Sequence, residues 1–251
     1  MFKMVNNLSK KTLIPGILTI CLFFMFGVFT LNATNNAPVE IEADVISYDS
    51  AKGKMQAEGN VKITQGNSIA TAQKAEYDMN TADGYLSGGV NAVKDDSKII
   101  ANEVYLYDSS NRILAKGSVI VTRGENRVMG PIVDYYVSRG YVKVPSNARI
   151  ENKDGIVTSD NLEAYLDDQK VTALGNVHVV SSVHELDAVA DKANYFGLPK
   201  EQSKIIFTGN ARVIQRGNTV TGHLLTVDLN DNSVKAEGDR PKVIFTPKSN
   251  G

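Results

Sequence analysis

The stretch "AEGNVKIT" (57–64) recurs as "LSGGVNAV" (86–93), "AKGSVIVT" (115–122), "ALGNVHVV" (173–180) and "FTGNARVI" (207–214). Each copy holds a glycine followed by an apolar–polar alternation. Val61, Val90, Val119, Ala148 and Val177 follow one another at intervals of 29 residues, and the next equivalent, Ala211, comes after 34. Self-similarity at a fixed period of this size marks a repeat array, in which a unit cannot bury its apolar face alone and stacks on its neighbours. The 251 residues therefore read as one continuous array after a leader.

Outward from the glycine the pattern has period two, as half-buried strands require. Aligned copies put like residues into columns. One column is Ile41, Ala70, Ile99, Val128, Val157, Ala188 and Val220. Another is Ile46, Ala75, Val104, Val133, Leu162, Ala193 and Leu225. A third is Met55, Gly84, Ile113, Val142, Val171, Ile205 and Val234, and a fourth is Ile63, Ala92, Val121, Ile150, Val179 and Val213. The column Ala43, Ala72, Ala101, Gly130, Ser159, Ala190 and Gly222 never exceeds serine in size, which suits a sharp corner. From Ala43 to Ile46 the alternation slips by one, as it does at a bulge. The repeated glycine (Gly59, Gly88, Gly117, Gly175, Gly209, Gly238) is expected to mark a second bend.

Both ends of each unit carry turn chemistry. One end reads "QGNS", "DDSK", "RGEN", "NKDG" and "RGNT"; the other reads "YDSAKGK", "YDSSNR", "VSRGY", "LDDQK" and "DLNDNS". Tight turns at both ends predict an antiparallel meander of about seven hairpin-like 29-residue units, or about fourteen strands. A parallel β-helix with one coil per unit is the competing architecture. The insertion "FGLPKEQSK" (196–204) breaks the rhythm, and no helical periodicity of useful length follows residue 38.

The leader, 1–37, is basic and then apolar, with no charge from Leu13 to Leu31. That run fits a cleaved signal peptide ending near Ala33 or Ala37, or a retained anchor through 13–31. Either way the domain 38–251 is exported. Removing the leader's three lysines from the 27 basic residues leaves 24 against 28 acidic ones, a balance that does not favour nucleic acid. Cys21, the only cysteine, lies in the leader, so the body has no disulfide and no thiolate metal site.

Catalytic chemistry is absent from the pattern. His178, His184 and His223 have no partner at ligand spacing, and His178 alternates outward between Val177 and Val179. "DLNDN" (228–232) lacks the glycine and glutamate of a calcium loop. Paired acids at Asp95–Asp96 and Asp167–Asp168 fall in turns. No G-x-S-x-G elbow or phosphate loop occurs. Tyr48, Tyr77, Tyr135 or Tyr136, Tyr165 and Tyr195 end the first strand of their units and are expected to cap the core with the hydroxyl at the rim. No enzyme activity, metal or cofactor is implied.

"VEIEADVISYDSAKGKMQAEGNVKITQGNSIATAQKAEYD" (39–78) resembles the OstA-like/LptA domain of lipopolysaccharide-transport proteins. The shared pattern is I-x-A-D, an aromatic before Asp, G-N-V-x-I-x-x-G and a second A-x-x-A-x-Y. The resemblance spans the body and weakens over 125–155, where "GPIVDYY" replaces the acidic motif. It implies a folded, V-shaped β-jellyroll, open-ended, that stacks with other jellyroll transport proteins across the periplasm and holds the acyl chains of lipopolysaccharide inside. An anchored LptC-like component has the same fold; an LptD would need a large barrel that this chain lacks.

Fourteen strands about 4.8 Å apart make a trough of roughly 65–70 Å. Open edge strands are prepared for strand addition from a partner jellyroll or for a head-to-tail homo-oligomer. The candidate lipid-lining residues are Ile41, Ile46, Ile63, Ile99, Val104, Val121, Val133, Ile150, Leu162, Val179 and Val213. A structural or adhesive β-solenoid with a filled core, or an enzyme acting on surface polysaccharide, are the rival functions.

Overall fold

The computed structural model describes residues 38–197 and 202–245. The leader and residues 198–201 of the insertion lie outside the described residues. The described chain is a succession of strands: β1 (Val39–Glu42), β2 (Val45–Asp49), β3 (Lys54–Gln65), β4 (Ser68–Asp78), β5 (Asp83–Lys94), β6 (Ser97–Tyr107), β7 (Arg112–Arg123) and β8 (Asn126–Tyr136). A 3-10 turn at Val137–Arg139 leads into β9 (Tyr141–Val144), β10 (Ala148–Asn152), β11 (Gly155–Ser159) and β12 (Asn161–Tyr165). Then come β13 (Lys170–Ser181), β14 (Leu186–Phe196), β15 (Lys204–Gln215), β16 (Asn218–Asp228), β17 (Val234–Glu237) and β18 (Lys242–Ile244).

Every pairing among these strands is antiparallel, which excludes the parallel coil. Four rungs are interrupted part-way along. β1 and β2 lie end to end beside β3, β9 and β10 beside β8, β11 and β12 beside β13, and β17 and β18 beside β16. The eighteen strands thus make fourteen rungs in sequence order, as the turn chemistry predicts. The chain is all-β, a repeat-built meander folded upon itself.

The fold line is a bulge repeated from rung to rung. In the β3–β4 ladder Glu58 faces Lys74 and Val61 faces Ala72, so Gly59 and Asn60 oppose the single residue Gln73. Two residues against one leave the ladder locally unpaired and bend it. Both bulge residues are left-handed, at φ 76° and 47°, a region open to glycine and tolerated by asparagine. The same shift recurs at Leu174/Val177 and Thr208/Ala211. A carboxylate on the neighbouring rung holds the bulge: Nδ2 of Asn60, Asn176 and Asn210 donates to Asp44, Asp160 and Asp191 at 2.9, 2.8 and 2.9 Å. The Asp44 and Asp160 amides donate to the carbonyls of Gly59 and Gly175.

The small-residue corner and the glycine therefore lie on one crease, not two. Sequence spacing separated them along the strand, but the antiparallel register sets residues 43–45 of one rung against 58–61 of the next. The small column has its own cause. A Cβ on Gly130 would lie 2.5 Å from Cγ1 of Val144 across the corner.

The crease divides the sheet into two leaves. The first contains β1 and the 61–65 half of β3, and the second contains β2 and the 54–58 half. The leaves fold face to face, because the turn after β13 on the first leaf's rim touches the turn after β16 on the second leaf's rim. There His184 Nδ1 and Asn232 Oδ1 are 2.5 Å apart. The inward columns of both leaves merge into one apolar cluster running from Ala57 to Leu229. Apolar burial of this kind is the main stabilising term, at roughly 25 cal/mol per Å².

Gly175→Ala tests the crease. Its Cβ would stand 2.3 Å from Asp160 Oδ2 at φ +74°, whereas a Cβ on Gly89 at φ +84° meets nothing within 4 Å. Gly89→Ala is expected to cost about 1 kcal/mol for the dihedral alone, and Gly175→Ala about 2–3 kcal/mol. Equal losses in urea unfolding would show that the close approach to Asp160 does not shape the bend.

Candidate functional site

The two leaves do not close equally along the array. Over the first rungs a cavity of about 350 Å³ lies between them. The first leaf supplies Val39, Ile41, Ile63 and Ala70; the second supplies Met55, Tyr77, Met79 and Leu106. Gly84 contributes by its lack of a side chain, since a Cβ there would come within 3.3 Å of Leu106. Polar groups stand at the cavity's border: Gln65, Ser68 and Lys94 on one leaf and Glu76 on the other. Burial raises the pKa of the Tyr77 phenol, with Asp108 a smaller contributor, so the ring presents a neutral hydroxyl.

Further along, the leaves are sealed. Leu166, Leu186 and Leu229 near the rims are at most 7% exposed. The His184–Asn232 contact joins the rims, and Gln215 Nε2 donates to the His184 carbonyl at 3.2 Å. Phe207, Leu225 and Val213 between the leaves have no exposure at all. The open end contrasts with this, since Val39 is 47% and Met79 46% exposed.

The candidate lining residues divide accordingly. Ile41 and Ile63 line the cavity. Ile46 shares their inward orientation through its register with Ala57, yet is 48% exposed because it sits on the terminal rung. Ile99, Val104, Val121, Val133, Ile150, Leu162, Val179 and Val213 are no more than 4% exposed and pack in the shared core. One inward column is missing from the sequence-based columns: Ala57, Leu86, Ala115, Val144, Ala173 and Phe207, all buried. Its signal is the same repeat, two residues before the glycine.

The tyrosines need one correction. Tyr77, Tyr135 and Tyr195 face inward opposite Met55, Ile113 and Val171. In the β12 rung that place belongs to Ala164, which pairs with Val171 and Val142, and Tyr165 points outward at 40% exposure. Tyr48 is 59% exposed on the terminal rung. The histidines also separate. His178 is exposed beside Asp187, while His184 is buried as the rim clasp. In "DLNDN", Asp228 and Asp231 accept the amides of Asn230 and Ser233, the local hydrogen bonding ordinary for aspartates in turns. Among the described residues no group of three or more His, Cys, Asp or Glu is placed to hold a metal ion. No described helix is long and apolar enough to cross a membrane.

Against known families, the chain matches the model described as "LptA/(LptD N-terminal domain) LPS transport protein" over residues 40–76, 70–170 and 106–233. The overlapping matches reflect the repeat, since one unit can stand for the next. No curated protein matches the chain. Among solved structures, one similar chain is LptH of Pseudomonas aeruginosa, described as the LptA homologous periplasmic component of the conserved lipopolysaccharide transport device. It is 16% identical, the match covers 85% of this chain and 98% of that one, and the TM-score is 0.22. A likeness at that score carries no argument about this chain.

Truncations should separate cavity from core. Phe207→Ala, at a position with no exposure, is expected to cost about 3–5 kcal/mol. Ile63→Ala, at the cavity wall, should cost less than half as much, since its methyl groups already border empty space. Equal losses in chemical denaturation would place Ile63 in close-packed surroundings and contradict the cavity.

Proposed function

Because the chain belongs to the LptA/LptD N-terminal-domain family of lipopolysaccharide-transport proteins, we propose that it carries the acyl chains of lipopolysaccharide between its two leaves, as one element of a periplasmic bridge towards the outer membrane. The observation that supports this reading most is the apolar cavity at the first rungs, continuous with an uninterrupted inward stripe. In this reading Ile41, Ile46 and Ile63 receive the chains. Ile99, Val104, Val121, Val133, Ile150, Leu162, Val179 and Val213 form the path beyond, reached as the leaves part. The role is carriage and needs no catalytic residue. The apolar leader delivers the domain to the periplasm, by cleavage or as an anchor.

The ends of the array support strand addition. β2 exposes Val45 at 63%, and Val243 and Phe245 at the other end are 45% and 73% exposed. Natural sheets usually blunt such edges. A neighbouring jellyroll of the same transport system, or a second copy of this chain, would continue the ladder and the apolar interior together. One observation favours the rival reading of a filled β-array without ligand, namely the close burial of Ile150 and Phe207.

Photo-crosslinking in cells distinguishes the two. A crosslinker at Ile63 is expected to capture lipopolysaccharide and one at the outward neighbour Lys62 is not, and the same contrast is expected for Ile150 against Arg149. Capture at 63 alone would confine the lipid to the mouth; capture at neither inward site in folded protein would leave the filled array. For the edges, sedimentation should show head-to-tail species growing with concentration. A strictly monomeric protein that binds no partner jellyroll would contradict open-edge assembly.

A further inference from the structure

A second hollow, of about 200 Å³, lies on the second leaf beside the apolar cavity. Its wall includes Tyr85 of β5 and Tyr105 and Tyr107 of β6, whose alternate neighbours Leu86, Val104 and Leu106 belong to or pack on the core. These tyrosines therefore sit on the outward face. Tyr85 and Tyr105 have ring centroids 4.6 Å apart, and Tyr105 and Tyr107 stack 6.2 Å apart with 7° between their planes.

The aromatic row continues across the rungs. The Arg112 guanidinium lies 5.4 Å from the rings of both Tyr107 and Tyr136, and Tyr141 links Tyr136 to Tyr165. Leu114, in register with Tyr105 and Asp134, is outward yet only 8% exposed. Outward faces of antiparallel sheets are ordinarily polar; here an aromatic row is built into that face, with the Arg112–Asp134 ion pair and Lys116 set among its rings.

Three carboxylates complete the hollow, each held in place by a protein partner. Lys74 holds Glu76 at 2.7 Å, Lys54 holds Asp78 at 3.2 Å, and Asp83 accepts the Asp108 amide at 3.0 Å. A carboxylate has about four lone-pair sites, so each retains acceptor capacity. Fixed acceptors beside aromatic faces are the chemistry of sugar recognition: the C–H face of a pyranose packs on the ring while its hydroxyls donate to the carboxylates. Three acids and one lysine, Lys54, line the hollow, which disfavours a phosphate there.

The hollow and the apolar cavity share Met55, Glu76, Tyr77, Gly84, Tyr85 and Leu106 in their walls. One amphiphile can thus place its chains between the leaves and its head on the tyrosines. We propose that this outer hollow binds an unphosphorylated, hydroxyl-rich saccharide, the head portion of a glycolipid whose chains enter the cavity. The assignment rests on the function proposed above and adds a saccharide subsite to it.

The test is saturation-transfer NMR on the full chain, using as probe a chain-free, unphosphorylated oligosaccharide, the disaccharide of N-acetylglucosamine. A fluorescent fatty acid reports the cavity in parallel. Sugar-ring protons are expected to receive saturation from the unaltered protein and from Tyr107→Phe. Tyr105→Ala and Tyr107→Ala, at residues that line the hollow and not the cavity, should weaken transfer about fivefold, with fatty-acid binding unchanged. No transfer to the oligosaccharide, or equal transfer in the alanine variants, overturns the saccharide site while the lipid reading stands on its fatty-acid signal. Sugar transfer without fatty-acid binding would overturn the glycolipid assignment and leave a site for free saccharide.

Discussion

The structure depends on one repeated local event, the placing of two left-handed residues opposite a single residue of the next rung. A flat fourteen-rung meander would expose one whole apolar face. The bulge at Gly59–Asn60 and its equivalents turns every rung at the same depth, so the array folds along a line and the two halves of that face meet. The chemistry is economical. Glycine removes the Cβ that would strike the neighbouring carboxylate, asparagine tolerates the left-handed region, and its amide binds that carboxylate. Each such hydrogen bond contributes only about 1 kcal/mol, but alignment from rung to rung fixes where the interior lies.

The interior is graded by side-chain size. At the first rungs the inward positions hold Ala57, Ala70, Ala75 and Gly84, which together cannot fill the space between the leaves. At the later rungs the corresponding places hold Phe207, Val220, Leu225 and Ile205, and the rims are drawn together by His184 and Asn232. One end of the array thus offers an apolar recess with a polar border, and the other a packed core. The family to which the chain belongs gives that gradient a context in lipopolysaccharide transport.

Much of this was legible in the sequence. Strand alternation, rung number and the inward columns arise from a period of two inside a period of 29. What the sequence hid was register. Asp44 and Gly59 lie fifteen residues apart, and only the antiparallel ladder brings them to one crease. Tyr165 drew attention as an aromatic residue at a strand end, yet the inward place is five residues beyond the small column at Ser159, which is Ala164. The meeting of His184 and Asn232, 48 residues apart, exists only because the leaves fold over. The cavity, too, was invisible in a pattern that shows which residues face inward but not how closely opposing leaves approach.

The central claim is that the folded leaves enclose lipid. Native mass spectrometry of the protein isolated from cells tests it most directly. The account predicts an adduct of lipopolysaccharide mass at one per chain, lost when Ala70→Trp fills the mouth of a protein that remains folded. A chain that is always bare, or an adduct indifferent to that substitution, would contradict it.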